Sequence, residues 1–277
     1  MIEFKTMKNG FEYIEVKNSV AHAKIALQGA HIFHYARVNE KPVLWLSEVS
    51  DFELGKSIRG GVPICWPSFG SNNPDLPQHG FARTAMWRVE STQKIDDKTT
   101  QVTFKLNETK ESLKLWNYKF ELEFKVTISE KLIMELATAN LDDKAFEITQ
   151  ALHTYFGISN ISNIKIKGLD NKSYYDTLTA EEYIQHGDIT FIQEFDSVFQ
   201  KVDTVLLLLD TDKEVSIKNE GSSSVVVWNP WIEKCKRMSA MKEEAYKEFV
   251  CIESANAFDD YKVIERSKSH TLKALII

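Results

Sequence analysis

Two stretches of this chain alternate with a strict period of two. Val102, Phe104 and Leu106 are interleaved with Thr103 and Lys105. Phe120, Leu122, Phe124, Val126 and Ile128 are interleaved with Glu121, Glu123, Lys125 and Thr127. In an extended chain that spacing collects every apolar side chain on one face and leaves the other wet. Segments of this kind are half-buried strands, so a sheet with one face turned to a core is the element to expect. Shorter apolar runs extend the pattern: Tyr13–Val16, Ala23–Leu27, Ile32–Arg37, Leu132–Asn140, Phe146–Phe156, Asn163–Lys167, Val205–Leu209, Glu214–Lys218, Val225–Asn229, Phe249–Glu253 and Thr271–Ile277. Turn-forming clusters separate them, among them Asn9-Gly10, Asp96-Asp97-Lys98, Asp142-Asp143-Lys144 and Glu220-Gly221-Ser222. Only Thr179–Gln185 and Lys242–Lys247 offer short helices, and nothing alternates strand with long helix as a parallel α/β fold would. The fold class expected is therefore all-β: one large antiparallel domain over residues 1–277, two sheets packed face to face, with few short helices.

Composition narrows the function. With 43% hydrophobic residues the chain can bury a sizeable core, and its net charge of −6 lacks the basic footprint of a general nucleic-acid or anionic-membrane binder. Three cysteines, Cys65, Cys235 and Cys251, with no close pairing suggest neither a disulfide framework nor a zinc site. The first residues lack the layout of a secretion signal, and the longest apolar run, Val205–Leu209, is too short to span a bilayer. The cytoplasm is the compartment expected, with no nucleic-acid or membrane partner.

Chemistry-bearing residues gather in irregular segments. Four of six prolines and five of eleven glycines lie between Gly55 and Gly80, and Arg59, His79 and Arg83 accompany them. A stiff irregular backbone with guanidinium donors suits an anion or sugar pocket, since arginine grips phosphate with paired, charge-assisted hydrogen bonds. Trp66, Phe69 and Phe81 could face a sugar ring or fill the core. His153 falls on the more polar face of Phe146–Phe156, beside Ala151 and Tyr155; alone, a histidine so placed serves packing as readily as chemistry. Glu253 shares a strand face with Phe249 and Cys251, where desolvation would raise its pKa toward that of a general base; a strand-end glutamate in solvent is the plainer alternative. His31 and His34, three apart on a strand, point to opposite faces and make no metal site.

Several segments together resemble the hexose-6-phosphate mutarotases, the glucose-6-phosphate 1-epimerase branch of the aldose 1-epimerase superfamily. They are Arg59-Gly60-Gly61-Val62-Pro63-Ile64-Cys65-Trp66-Pro67, Leu76-Pro77-Gln78-His79-Gly80-Phe81-Ala82-Arg83, Ala151-Leu152-His153-Thr154-Tyr155-Phe156, Phe195-Asp196-Ser197-Val198-Phe199, Val227-Trp228-Asn229-Pro230-Trp231 and Val250-Cys251-Ile252-Glu253. They stand in the family's order from about residue 25 to 255. The resemblance implies a galactose-mutarotase-like β-supersandwich that interconverts the α and β anomers of an aldohexose 6-phosphate without metal or organic cofactor. It implies Glu253 as general base on the C1 hydroxyl and His153 as general acid on the ring oxygen; ring opening calls for an acid and a base on opposite sides of the hemiacetal, so the two are expected to flank a gap wide enough for a pyranose. It further implies His79 near the ring oxygen, Gln78 and Asp196 as ligands of sugar hydroxyls, and Arg59 with Arg83 as the phosphate clamp. The partner expected is a small sugar phosphate, and the chain is expected as a monomer or weak homodimer. Two positions depart from the family's pattern: Ser254-Ala255 follows the glutamate where Pro-Gly is frequent, and Ala240 follows Met238-Ser239 where aspartate is common. A mutarotase for unphosphorylated aldoses and a non-catalytic sugar-phosphate binder are the alternative readings.

Overall fold

The computed structural model describes residues 1–71 and 73–277. Its strand ladders are all antiparallel. Two eight-stranded sheets form the body. One runs Lys165–Lys167, Leu206–Leu209, Glu214–Glu220, Ser269–Ile276, Leu132–Asn140, Phe120–Ile128, Thr100–Asn107, Arg88–Lys94. The other runs Glu181–Ile184, Ser173–Asp176, Phe195–Phe199, Ser224–Asn229, Phe249–Asn256, Gln150–Leu152, Ile64–Cys65, with Tyr155–Gly157 also paired to Phe249–Asn256. A four-stranded meander (Ile2–Thr6, Glu12–Lys17, Ala21–Ala26, Ile32–Arg37) and a two-stranded ribbon (Phe146–Ile148 with Lys262–Ile264) complete the β structure. No helix among the described residues is long and apolar enough to cross a membrane.

The alternating sequence does what its period demands. Along Phe120–Ile128 and Leu132–Asn140 every second residue is buried and the residues between are half-exposed. The buried rows join residues of the other large sheet, such as Val225, Val227, Val250 and Ile252, in one apolar cluster. Trp66 is enclosed in that cluster, and its indole N–H donates across to Thr138 Oγ1 at 3.1 Å, as a buried donor must.

The second large sheet is different. Ser224–Asn229 and Phe249–Asn256 are buried at every position, so neither carries an alternation to be read. One face of each packs on the core and the other turns toward covering loops and a cleft.

Three local expectations need correction. Phe146–Phe156 is not one strand but three short ones, Phe146–Ile148, Gln150–Leu152 and Tyr155–Gly157. At the second break the Thr154 amide bonds back to the Leu152 carbonyl, while the amides of His153 and Tyr155 turn to the carbonyls of Pro63 and Gly61. The segment thus leaves its neighbour strand to pair with the Gly/Pro-rich loop. Thr179–Gln185 is not helical: Glu181–Ile184 is the edge strand of a hairpin with Ser173–Asp176, turned at Ala180, whose φ is 58°. The longest helix instead spans Trp231–Arg237. Its signals were Pro230 at the start and Lys234, Lys236 and Arg237 toward the end.

Gly80 shows how tightly the loop is laid down. Its φ is 69°, and a Cβ there would lie 2.0 Å from the Trp66 carbonyl oxygen, the same oxygen that accepts from the amides of Phe81 and Ala82. Gly80→Ala is therefore expected to cost about 3 kcal/mol or more, from left-handed strain plus a backbone clash. Urea denaturation tests this, and a loss below 1 kcal/mol would show that the loop gives way freely.

Candidate active site

A cleft of about 400 Å³ opens on the second sheet. Arg59, Gln78, His79, Arg83, His153, Asp196 and Glu253 all line it, although they come from five separate stretches of chain. Val226 and Trp228 of the central strand, Tyr155, Phe69, and Lys234 with Met238 and Ser239 complete much of the wall.

The loop residues are held by backbone contacts. Gly61 takes a φ of 64° and lies against the Ile32 carbonyl, with its amide bonded to the Trp45 carbonyl at 2.7 Å. The adjoining Arg59 is pinned by its own amide to Ser50 Oγ and by its carbonyl to the Ser47 amide, which leaves the guanidinium to the cleft. Arg83 Nη2 donates to the Gln78 carbonyl at 2.7 Å, so the two ends of that loop are tied together. Gln78 itself is exposed at the rim.

His79 sits at φ 63°, and its Nδ1 accepts from the Gly70 amide at 3.2 Å. With Nδ1 accepting, a neutral ring carries its proton on Nε2. Burial, then the charges of Arg83 and Arg59, push the pKa of His79 down to about 3. His79 is therefore a neutral N–H donor near pH 7.

His153 and Glu253 stand side by side, with Nε2 and Oε1 3.4 Å apart. They do not flank a ring-sized gap, and this corrects the expectation of opposite sides. The reason is in the ladder: Leu152 pairs with Ser254 and Tyr155 with Cys251, so His153 falls opposite Glu253 on the adjoining strand. The His153 ring stacks on Tyr155 (4.9 Å between centroids, 9° between planes) and meets Trp228 edge-on at 5.8 Å. Its exposure is 8%, and that of Glu253 is 1%.

So dry a site reshapes both proton affinities. Burial, reinforced by the nearby Asp196 charge, raises the Glu253 pKa well above 4.5. Burial first, then His79, Arg83 and Arg59, lower that of His153 well below 6.5. Both shifts favour the uncharged forms, a protonated Glu253 beside a neutral His153. Glu253 Oε2 has no hydrogen-bond partner among the described residues, a state that buried polar atoms avoid outside functional sites.

This arrangement costs stability in a pH-dependent way. Because the folded pKa of Glu253 is raised, the unfolded chain releases that proton above pH 4.5 while the folded chain keeps it. Stability is thus lost as pH rises. Glu253→Gln removes the penalty, and its advantage over the parent is expected to grow from pH 5 to pH 8. Urea midpoints across that range measure it; a constant difference would contradict the raised pKa.

Other sequence candidates separate cleanly. Phe69 lines the cleft, whereas Trp66 and Phe81 are core. His31 is buried and bonds the Gly60 carbonyl, while His34 lies against His22 on another face. The departure at Ser254-Ala255 lets the strand run to Asn256, with Ser254 paired to both Leu152 and Val225. Lys234, Trp228 and Tyr155 were not singled out as site residues. The Val227–Trp231 segment was the available signal for the first two.

A sandwich of antiparallel sheets thus gathers a buried histidine–glutamate pair and two arginines in one cleft. The aldose 1-epimerase family model matches residues 12–275, and the chain belongs to that family. A relative from Escherichia coli strain K12, provisionally named glucose-6-phosphate 1-epimerase, is 32% identical over 268 residues, covering 95% of this chain and 90% of the relative. A relative from Cenchrus ciliaris with the same provisional name is 34% identical over 245 residues, covering 84% and 74%. The crystal structure of a protein from Salmonella typhimurium, provisionally titled a mutarotase, superimposes with a TM-score of 0.91 at 30% identity, covering 99% of this chain and 92% of that one.

Proposed function

We propose that this protein interconverts the α and β anomers of a hexose 6-phosphate, with glucose 6-phosphate as the first substrate to test. The observation that carries the reading is the 3.4 Å contact between His153 and Glu253 in the cleft that Arg59 and Arg83 also line. The provisional names of the relatives point to the same substrate.

Glu253 takes the proton of the C1 hydroxyl, and His153 gives one to the ring oxygen as the C1–O5 bond breaks and C1=O1 forms. The aldehyde turns about C1–C2 and closes on its other face, with the two groups exchanging roles. The uncharged pair that burial favours holds the same number of protons as the carboxylate–imidazolium pair this step needs. One transfer from Glu253 to His153 generates it without solvent. A phosphate dianion against Arg59 and Arg83 offsets part of the positive field on His153 and so favours the imidazolium. His79 donates its Nε2–H to the sugar near the ring oxygen, and Asp196 and Gln78 accept or donate to its hydroxyls. Contacts of this kind in a free site tighten when substrate excludes the remaining water. Exchange spectroscopy on equilibrated glucose 6-phosphate tests the activity directly, since catalysis shows as cross-peaks between the two anomeric protons.

A further inference from the structure

Lys234 lies on the helix Trp231–Arg237 at the edge of the cleft and is shared between two carboxylates. Its Nζ is 2.9 Å from Glu194 Oε1 and 3.4 Å from Asp196 Oδ2, and 5.8 Å from the centroid of Trp228. Besides Asp196 the cleft holds a second carboxyl, Glu253, on Phe249–Asn256, with the strand Ser224–Asn229 between them. Two carboxyl groups in one dry cleft cannot both be ionised at low cost, and the one with a cation beside it takes the charge.

The groups that act on Asp196 come from four directions. Glu194 precedes it on its own segment, Glu253 and Cys251 on the strand Phe249–Asn256 are close enough to feel its charge, the Thr177 hydroxyl donates to its main-chain carbonyl at 3.1 Å, and Lys234 reaches in from the helix. Burial raises the pKa of Asp196, Glu194 adds to the rise, and Lys234 with Thr177 opposes it. Of these groups Lys234 alone is a cation.

We propose that Lys234 is a positioning residue that holds Asp196 as an ionised acceptor for a sugar hydroxyl and keeps its charge state distinct from that of Glu253. Glu194 is the counterweight that draws part of the ammonium away. The proposal rests on the mutarotase reading only for what Asp196 binds; the charge arrangement stands in the free protein.

The test is a ¹³C-carboxyl titration of Asp196 in the intact chain, the resonance being assigned by its loss in Asp196→Asn. Lys234→Met should move the Asp196 midpoint to higher pH, since a stabilising cation is gone. Lys234→Arg should keep it near the parent value. Glu194→Gln should move it to lower pH, because a like charge is removed and the ammonium is released to Asp196. Opposite shifts from two conservative rim substitutions are not an outcome of simple structural damage. An unmoved or lowered midpoint in Lys234→Met, or the same direction of shift in both variants, would overturn the proposal. In activity, Lys234→Met should raise KM for glucose 6-phosphate about fivefold at pH 6 with a smaller change in kcat, the scale of a part-exposed ion pair, and Lys234→Arg should restore it. A loss that is uniform with pH and not restored by arginine would also count against it. If the parent protein exchanged no anomers, the proposed function would fall while the titration still decided the role of Lys234.

Discussion

Glu253→Gln and His153→Ala should each slow anomer exchange of glucose 6-phosphate by about 10²–10⁴-fold, the contribution of one positioned acid or base. The loss should appear in kcat, because neither group has to hold the ground-state sugar. Combining the two should cost little more than the worse single change, since a proton-passing pair acts as one unit. The structure makes this expectation sharp. The two side chains are 3.4 Å apart and both are buried, whereas the cleft's other acid–base neighbours, Asp196 and Lys234, are part-exposed and already joined as an ion pair. Tyr155 and Trp228 fix the imidazole plane by stacking and edge contact, so the geometry is set before substrate arrives. Near-normal rates in both variants would remove His153 and Glu253 from the mechanism.

The second large effect separates phosphate recognition from ring chemistry. Replacing Arg59 or Arg83 by methionine should lower kcat/KM for glucose 6-phosphate by about 10–100-fold, the scale of charge-assisted hydrogen bonds lost to a doubly charged group. Glucose itself, assayed in the same way, should be affected less than about threefold, because it has no anion to lose. Arg83 also ties the Gln78 carbonyl, so Arg83→Met could loosen the loop that carries His79; Arg59, whose anchors are main-chain atoms, is the cleaner probe. Equal losses with both sugars would favour the unphosphorylated aldoses as substrates and would assign the arginines to the loop.

How much of this was legible from the residues depends on where each strand lies. Phe120–Ile128 has one wet face, so its alternation survives in the sequence and reads directly. Phe249–Asn256 is covered on both faces, so only an apolar run remains, and the run gave no sign that the strand continues through Ser254, Ala255 and Asn256. The kink at His153 was invisible because its hydrogen bonds go to Gly61 and Pro63, some ninety residues earlier. The Gly/Pro-rich loop announced an irregular pocket wall through its own composition, and Gly61 and Gly80 do occupy left-handed backbone against carbonyl oxygens.

The site itself was legible mainly through resemblance, since spacing alone left His153 and Glu253 open to plainer readings. All seven candidate residues line the cleft. What the residues could not convey was relative placement. An acid and a base serving one carbon were expected across a ring and instead touch each other. Lys234 escaped notice because its meaning depends on Glu194 and Asp196, residues forty and thirty-eight positions away.

The central claim is that the His153–Glu253 pair opens the ring of a hexose 6-phosphate. Two-dimensional exchange NMR on equilibrated glucose 6-phosphate, with the parent protein and Glu253→Gln at equal concentration, tests it most directly. The expected result is strong cross-peaks between the α and β anomeric protons with the parent protein, and none above the spontaneous rate with the variant. Exchange at the spontaneous rate with both proteins, or equal acceleration by both, would contradict it.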